Sequence, residues 1–211
     1  MDSVSLCGIT ANVIYGNNDI LYIVDLPQRI EQSYNECKTA PTIVVLPANW
    51  EKDLSPWKAD RAFRAGNDFG GGAQDYLMTV LGFIKEFEKG KDVRRRMIAG
   101  YSLSGLFALW AAYNTDVFDS VASVSGSLWY DGFADYACSR DIMAKCVYFS
   151  LGDKESGTPN KRMAAVENCT RRICAFLCAR NVKTEFRLNE GGHFDNVITR
   201  IAEAIDFLEE T

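Results

Sequence analysis

The sequence predicts an α/β fold with a mostly parallel central sheet and helices on both faces. Short runs of β-branched and aromatic residues alternate with segments of helical spacing to the end of the chain, which is typical of parallel strands joined by crossover helices. No repeat, low-complexity tract or linker interrupts the 211 residues, and 47% of them are hydrophobic. We therefore expect residues 1–211 to form a single domain around a sizeable core.

Six segments are predicted to be strands. Five of them are apolar on both faces, as strands within a parallel sheet are: residues 20–24, 42–46, 96–100, 120–124 and 146–151. In the sixth, residues 182–188, apolar and charged side chains alternate. Since ligands bind at the carboxyl ends of the strands in open α/β sheets, we expect the functional site at that edge.

Three segments carry apolar side chains at helical spacing. Thr158 and Pro159 fit the N-cap and first-turn positions of the second segment. The three stripes are Tyr76, Val80, Ile84 and Phe87; Met163, Val166, Ile173 and Leu177; and Ile198, Ile201, Ile205 and Leu208.

Between the predicted elements, residues 47–72 form the longest irregular stretch, and a loop of that length in a compact domain is usually functional.

The charge pattern argues against nucleic acid and membranes as partners. The net charge is -5, with acidic and basic residues interspersed. The one basic cluster, residues 94–96, precedes an apolar strand and is expected to be a solvated strand entrance. No stretch is apolar enough to span a bilayer, and the N-terminus lacks a secretory signal, so an intracellular protein is expected.

The cysteines indicate a reducing compartment. Seven cysteines form an odd set in a chain large enough to fold without disulfides, so we expect free thiols and a cytoplasmic location. Cys174 and Cys178 share a helical face but have no further Cys or His at ligand spacing nearby. We expect them to be buried small hydrophobes, and we predict no metal site.

Ser102 is the candidate nucleophile. It lies in G-Y-S-L-S at residues 100–104, between an apolar strand and an apolar helix, which is the setting of a nucleophile elbow. Ser104 occupies the place of the usual second glycine, although serine is also small. An ordinary strand-to-helix turn with incidental serines is the alternative.

A serine hydroxyl needs a base, and the chain has one histidine, His193. It follows two glycines between the last predicted strand and the last predicted helix, so it should emerge at the edge where Ser102 lies. The third member should be a carboxylate between serine and histidine in the chain. Asp153 and Glu155, directly after a predicted strand, are the candidates, although either could be a turn residue.

Several ordered motifs together resemble the putative-esterase branch of the α/β-hydrolases. That branch includes esterase D-like enzymes, siderophore esterases related to enterochelin esterase, and feruloyl esterases. The resemblance implies an α/β-hydrolase fold with little or no lid and a serine esterase activity. The motifs are G-Y-S-L-S-G-L-F-A-L-W at 100–110, S-V-S-G-S-L-W-Y at 123–130, Y-F-S-L-G-D-K-E at 148–155, L-N-E-G-G-H-F at 188–194, W-E-K-D-L-S-P-W at 50–57 and G-G-G-A-Q-D-Y-L at 70–77.

The resemblance also implies roles for individual residues. The acid of this branch follows the glycine in a G-x-x-D/E pattern, which favours Glu155 and leaves Asp153 as the alternative. Apart from the resemblance, acyl transfer itself requires two backbone N–H groups for the oxyanion: that of the residue after the nucleophile, Leu103, and one in the loop after the third strand. If residues 20–24 are that strand, Leu26 is the second donor and Gln28 is the alternative, although both could be ordinary loop residues. Pro27 has no N–H to donate.

We expect a small-molecule ester as substrate and no cofactor. Trp50, Trp57 and Trp129 are predicted to line an apolar acyl or aryl site, although tryptophans are also common core residues. Acyl transfer or thioester cleavage by the same three residues is an alternative activity. A hydrolase-like protein that only binds its ligand is a second alternative, and the retained serine, histidine and acid argue against it.

Overall fold

The fold is built on one eight-stranded sheet, and a pair of two-residue strands lies outside it. The computed structural model describes residues 1–62 and 66–211. The strands in chain order are β1 (Asp2–Leu6), β2 (Ile9–Ile14), β3 (Asp19–Val24), β4 (Thr42–Leu46), β5 (Lys58–Ala59), β6 (Phe69–Gly70), β7 (Arg95–Tyr101), β8 (Ser120–Val124), β9 (Cys146–Gly152) and β10 (Lys183–Asn189).

The large sheet has the order β1-β2-β4-β3-β7-β8-β9-β10. From β4 to β10 every neighbouring pair is parallel, whereas β1 and β2 join antiparallel at one edge. All six predicted strands are present, each within one residue at either end. The register pairs Val24 with Gly100 and Tyr101 with Val124, so the central strands end at the same edge.

Helices cover both faces of this sheet. Helices α1 and α7 pack together on the face to which Leu21 and Ile23 point, and α3, α4 and α6 cover the face to which Tyr22 and Val24 point. The helices are α1 (Pro27–Glu36), α2 (Trp50–Asp53), α3 (Ala73–Phe87), α4 (Leu103–Ala112), α5 (Phe133–Ala137), α6 (Val166–Ala179) and α7 (Val197–Glu210). The predicted arrangement, a mostly parallel sheet with helices on both faces, is confirmed.

The hairpin β1–β2 was not predicted from the sequence. Its turn consists of Cys7 and Gly8, which both have positive φ (50° and 79°), as a two-residue hairpin turn requires. Ile9, Ala11 and Val13 are buried, but β1 is an edge strand whose residues are mostly exposed. The apolar alternation is therefore weak, and Cys-Gly is not one of the usual turn dipeptides.

Helix α1 was also missed. It begins at Pro27, a favoured first-turn residue, but only Ile30 and Ser33 are buried along it. One buried apolar residue gives too little periodicity to predict a helix. The oxyanion loop inferred from the sequence is consequently short: it consists of Asp25 and Leu26, and Gln28 lies in the first turn of α1.

The predicted helix start at Thr158 and Pro159 is wrong. Thr158 ends the short 3-10 turn Glu155–Gly157, and α6 begins only at Val166. The Oδ1 atom of Asn160 accepts hydrogen bonds from the amides of Arg162 and Met163, at 3.1 and 3.4 Å. The side chain of Asn160 thus binds backbone amides in the segment before α6, and α6 itself has no side-chain N-cap.

The segment 47–72 is not a loop throughout. It contains α2, whose first turn is capped by Asn49 through a 3.1 Å hydrogen bond from the Lys52 amide. It also contains the antiparallel pair β5–β6. Residues 63–65 of this segment lie outside the described residues.

Cys174 and Cys178 are not buried as expected. Cys174 is half-buried and Cys178 is exposed, because the buried side of α6 passes instead through Ile173 and Leu177. In the described part of the chain, no helix has the length and apolar character needed to cross a membrane.

The basic cluster at residues 94–96 lies at the strand entrance, as expected, but its side chains are ion-paired. Asp19 is fully buried at the start of β3 and accepts hydrogen bonds from the Nε atoms of Arg94 and Arg95, at 2.7 and 3.0 Å. Arg96 pairs with Glu88 at 2.7 Å. Burial acts to raise the pKa of Asp19, but the two arginines outweigh it and hold the pKa at about 2.

Candidate active site

Ser102 lies in the tight turn that joins β7 to α4. Its backbone has φ 62° and ψ -121°, a conformation that residues with a side chain rarely adopt. The turn is held by hydrogen bonds from the Ser102 amide to the Val124 carbonyl at 3.0 Å and from the Ser127 amide to the Ser102 carbonyl at 2.9 Å. This strained turn presents the serine side chain at the carboxyl edge of the sheet, as a nucleophile elbow does.

The elbow depends on a close approach of strand and helix at Gly100. A Cβ atom on this residue would lie 2.2 Å from the carbonyl oxygen of Ser104, which is far inside van der Waals contact. Only glycine fits there. The serine at position 104 is compatible with the elbow because it is fully buried and its hydroxyl turns back onto the backbone of Tyr101.

His193 lies beside Ser102 on the turn between β10 and α7. Its Nε2 atom is 3.0 Å from the Oγ atom of Ser102. The turn contains Gly191 at φ 108°, where a Cβ atom would lie 2.6 Å from the side chain of Asp195, so a glycine is required. The hydroxyl of Tyr101 donates a hydrogen bond to the carbonyl oxygen of His193 and fixes the turn from the side of β7.

Glu155 completes a chain of three side chains. Its Oε2 atom is 2.7 Å from Nδ1 of His193, while Oε1 accepts hydrogen bonds from Ser125 Oγ and the Gly152 amide, both at 2.7 Å. Burial acts to raise the pKa of Glu155, but the hydrogen bonds from His193, Gly152 and Ser125 outweigh it and keep the pKa below its usual value. An ionised Glu155 accepts from Nδ1–H, which leaves Nε2 free to accept from the Ser102 hydroxyl.

The side chain of Asp153, the alternative acid, binds the backbone of the histidine turn and not the imidazole of His193. It is exposed, and its Oδ1 atom accepts a hydrogen bond from the Gly191 amide at 2.9 Å. Its own amide donates to the Asn189 carbonyl at 2.8 Å. Asp153 therefore supports the backbone of the histidine turn, and of the two candidates Glu155 is the one that contacts the imidazole.

The two predicted oxyanion donors differ in their surroundings. Leu103 is the first residue of α4, so its N–H has no acceptor within the helix and lies next to Ser102. The N–H of Leu26 instead donates to the Oδ1 atom of Asp25 at 2.6 Å. Asp25 also pairs with Arg29 at 3.0 Å, and its burial raises its pKa.

A cavity of about 910 Å³ opens over Ser102 and His193. Its apolar lining includes Trp50 and Trp129, two of the three tryptophans predicted for the pocket. Phe194, which directly follows His193, is 83% exposed and packs edge-to-face against the imidazole with a centroid distance of 4.9 Å. The site therefore combines a hydrogen-bonded serine and histidine with a roomy, largely apolar cavity.

Trp57, the third tryptophan predicted for the pocket, is not among the described residues that line this cavity. Its ring packs among Tyr130, Phe133 and Tyr136, with centroid distances of 5.9, 6.5 and 5.5 Å. Its Nε1–H donates to the carbonyl oxygen of Asp131 at 2.9 Å. These contacts attach the segment after α2 to residues 130–136, so Trp57 has a structural role.

Sequence reasoning missed two polar residues of the site. Ser125 follows β8 and lies within the S-V-S-G-S-L-W-Y motif, which predicts no role for it. Arg200 lies in the last helix, and the apolar stripe that predicts this helix does not include it. A signal was available, because Arg200 stands four and eight residues before the buried Ala204 and Leu208 and thus shares their face of the helix.

Comparison with known proteins identifies the family. Residues 22–195, most of the chain, match the protein family described as "Putative esterase". The resemblance inferred from the ordered motifs is confirmed by this match. A search of curated protein sequences finds no match.

Solved structures share the fold at low sequence identity. The siderophore hydrolase EstA from Aspergillus nidulans has a TM-score of 0.72 at 19% identity, over 96% of this chain and 90% of that chain. An IroE-like serine hydrolase from Shewanella oneidensis has a TM-score of 0.72 at 13% identity, over 95% and 75%. Est1E from Butyrivibrio proteoclasticus has a TM-score of 0.58 at 13% identity, over 99% and 97%. The predicted α/β-hydrolase fold is confirmed.

Proposed function

This chain belongs to the putative-esterase family and acts on ester bonds as a serine hydrolase, and we propose that Ser102, His193 and Glu155 are its catalytic triad. One observation carries the proposal. The Oγ atom of Ser102, the imidazole of His193 and the carboxylate of Glu155 are joined by hydrogen bonds of 3.0 and 2.7 Å at the floor of the cavity. A nucleophile, a base and a residue that orients the base, within hydrogen-bond reach of one another, are what covalent acyl transfer requires.

The reaction proceeds in two halves. His193 accepts the Ser102 proton at Nε2 while Oγ attacks the carbonyl carbon of the ester, and Glu155 stabilises the imidazolium that forms. The tetrahedral intermediate collapses as Nε2 gives the proton to the departing alcohol, which leaves an acyl group on Ser102. A water molecule then transfers its proton to Nε2 and attacks the acyl group, and the second collapse releases the acid and restores the serine hydroxyl.

The N–H of Leu103 is the primary oxyanion donor in this mechanism. It is the first N–H of α4, and the helix dipole adds a partial positive charge at this end. Leu26 supplies the second N–H once this group leaves the carboxylate of Asp25, and Arg29 is placed to retain that carboxylate. Gln28, in the first turn of α1, is the alternative second donor.

We propose an ester with a bulky apolar or aromatic acyl group as substrate. Trp50, Phe69 and Trp129 present aromatic surface to the cavity, which has the volume of a drug-sized ligand site. Phe69 and Trp129 pack against each other with a centroid distance of 6.4 Å. An aromatic wall of this kind favours flat apolar groups over short acyl chains.

The test combines hydrolysis with active-site labelling. A panel of p-nitrophenyl esters, from acetyl to benzoyl and longer chains, is assayed on the wild type and on Ser102→Ala. A fluorophosphonate is expected to label the wild type once, on the peptide that contains residues 97–109. Ser139→Ala, which removes an exposed serine beyond α5, is the matched control and should behave as the wild type. Activity that survives Ser102→Ala, or label on another residue, contradicts the assignment.

We also propose a cytoplasmic location. All seven cysteines are free thiols, which is usual for proteins of a reducing compartment. A thiol-reactive label applied to the denatured protein, isolated from its own cells under conditions that block thiol oxidation, should modify all seven without prior reduction. Recovery of fewer than seven before reduction contradicts the proposal.

A further inference from the structure

Arg200 is the largest side chain among the fully buried residues of the described chain. It lies on the inner face of α7, only 1% exposed, directly behind the proposed triad. Arginine is almost never fully buried unless it is paired, because removing its charge from water is costly. The partners of this guanidinium therefore indicate why the protein retains it.

The guanidinium contacts two members of the proposed triad at once. One terminal nitrogen, Nη1, donates to Oε1 of Glu155 at 3.2 Å and to Oγ of Ser125 at 2.9 Å. The other, Nη2, donates to the carbonyl oxygens of Gly192 and His193, at 3.2 and 3.0 Å. A rigid planar group thus joins the acid to the backbone of the turn that carries the base.

A role in stability alone accounts poorly for this arrangement. A buried ion pair is often no more stabilising than a well-packed apolar pair of similar volume. Here Nη2 binds two backbone carbonyls of the histidine turn, which an apolar side chain could not orient. Ser125 bridges Arg200 and Glu155 and keeps Oε1 occupied, so that Oε2 points to His193.

We propose that Arg200 is a positioning residue that fixes Glu155 and the His193 turn in the reactive arrangement and offsets the charge of Glu155. Without the guanidinium, Oε1 of Glu155 loses a charged donor, and the two carbonyl oxygens of the histidine turn lose theirs. Glu155 and His193 are then free to move relative to Ser102, and proton transfer from the serine hydroxyl slows.

The other charged groups near this pair do not take over that function. Tyr101 faces His193 from β7, and its burial raises its pKa, so the phenol is neutral in the working range. Asp25 and Arg29, which flank Tyr101, pair with each other at 3.0 Å. Lys154 and Asp153 precede Glu155 but are exposed, and Asp195 follows His193 and is also exposed. In the described chain, Arg200 is the only cationic side chain that donates a hydrogen bond to Glu155.

The single histidine makes the test direct. In proton NMR, the ring protons of His193 need no assignment by mutation, because the chain has one histidine. A downfield signal from the Nδ1 proton reports its hydrogen bond to Glu155. Arg200→Gln is expected to broaden or remove this signal, because Glu155 and the histidine turn are then no longer held together.

Activity measurements provide the second readout, and they rest on the proposed function. For Arg200→Gln, kcat should fall by about 10²-fold while KM changes little, because Arg200 is not among the residues that line the described cavity. Arg200→Lys keeps the charge but cannot bind both carbonyls and Glu155 at once. It should recover part of the lost kcat and remain about tenfold below the wild type.

Arg95→Gln is the matched control. Arg95 binds a buried carboxylate, Asp19, at the opposite end of the sheet. This variant should lose thermal stability but keep the wild-type Nδ1 proton signal of His193 and the wild-type kcat. If Arg200→Gln does not fold, Arg200→Lys decides, since a wild-type kcat in that variant overturns the positioning role.

A folded Arg200→Gln protein with the wild-type Nδ1 proton signal and the wild-type kcat would overturn the proposal. Failure of the proposed function would look different, because the wild type would then hydrolyse no ester. The Nδ1 proton signal of His193 in the wild type and the Arg200 variants would still be informative in that case.

Discussion

The hydroxyl of Ser104 closes a small hydrogen-bonded ring with the backbone of Tyr101. Its Oγ atom accepts from the Tyr101 amide at 2.9 Å and donates to the Tyr101 carbonyl at 2.8 Å. The ring lies inside the elbow, next to Ser102, and is fully buried. The residue that departs from the usual glycine thus satisfies two backbone groups that a glycine would leave to other partners.

Ser104→Ala is therefore expected to destabilise the protein by about 1–3 kcal/mol, because it leaves a buried N–H without its acceptor. Urea unfolding measures the change. Ser33→Ala is the control, since Ser33 is also fully buried but its hydroxyl donates only to the Arg29 carbonyl in its own helix. Ser104→Ala should lower the free energy of unfolding by about 1 kcal/mol more than Ser33→Ala does. Equal losses would mean that the ring with Tyr101 adds nothing.

Glu155→Gln should abolish most of the turnover, and Asp153→Asn should not. An amide at position 155 cannot stabilise the imidazolium and favours the wrong tautomer of His193, so we expect kcat to fall by about 10⁴. Asn at position 153 still offers an oxygen to the Gly191 amide, and kcat should fall less than about tenfold. Steady-state kinetics on one activated ester compares them, and the reverse order would make Asp153 the acid.

Trp129→Ala should change acyl selectivity. Removing the aromatic wall should lower kcat/KM for a benzoyl ester by more than about tenfold and for an acetyl ester by less than about threefold, since only the larger group buries its surface there. Trp57→Phe is the matched control, because Trp57 is also half-buried but lies outside the cavity. That variant should lose thermal stability, but the ratio of its kcat/KM values for the benzoyl and acetyl esters should be unchanged. A changed ratio in Trp57→Phe would contradict the assignment of its structural role.

Phe194→Ala should change selectivity for the alcohol part of the ester. In the proposed mechanism His193 protonates the departing alcohol, so that group should leave beside the exposed ring of Phe194. We expect kcat/KM for a 2-phenylethyl ester to fall about fivefold, the value of one aromatic contact, and that for the ethyl ester of the same acid to stay constant. Leu188→Ala, which alters an exposed apolar residue outside the cavity, should change neither. Equal effects of Phe194→Ala on both esters would exclude this contact.

Asp19 should make stability depend on pH in the acid range. Its folded-state pKa of about 2 lies below its ordinary value of 3.8. The ionised carboxylate therefore stabilises the folded state fully above pH 3.8, and this stabilisation is lost as the pH falls through 2. At pH 7 we expect the free energies of unfolding of wild type and Asp19→Asn to differ by about 1–2 kcal/mol. Solvent screening reduces this difference, because Arg94 is largely solvent-exposed. The two free energies should converge near pH 2.

Urea unfolding at pH 7, 4 and 2 measures this convergence. Asp119→Asn is the comparison variant, because Asp119 has a lowered pKa but pairs with the exposed Lys145. Screening by solvent should make its effect smaller than that of Asp19→Asn. A constant difference between wild type and Asp19→Asn from pH 7 to 2 would show that the ion pairs with Arg94 and Arg95 contribute nothing.

The strands buried in the sheet and the residues at their carboxyl ends could be predicted from the sequence. Strands such as Thr42–Leu46 and Ser120–Val124 are apolar on both faces, and burial of both faces imposes that pattern locally. Ser102 and His193 were identifiable because an elbow needs small residues at fixed spacing and because the chain has one histidine. Local chemistry was sufficient at these positions.

Contacts between distant segments could not be predicted in the same way. Glu155 and Asp153 differ by two positions in one turn, and only the fold determines that the first reaches the imidazole while the second binds the Gly191 amide. Trp57 and Trp129 are equivalent by composition, yet one packs in an aromatic cluster and the other faces the cavity.

Arg200 shows the limit most clearly. Its position on a helix face can be predicted from the sequence, but its hydrogen bonds to Glu155 and to the His193 turn form where α7 packs against β7, β8 and β9. The sequence by itself determined the sheet and the positions of the proposed nucleophile and base, because periodicity and residue chemistry are local properties. Only the tertiary structure decided which carboxylate contacts the imidazole, which side chains line the cavity and where the buried arginine binds, because those contacts depend on which distant groups share a place that excludes water.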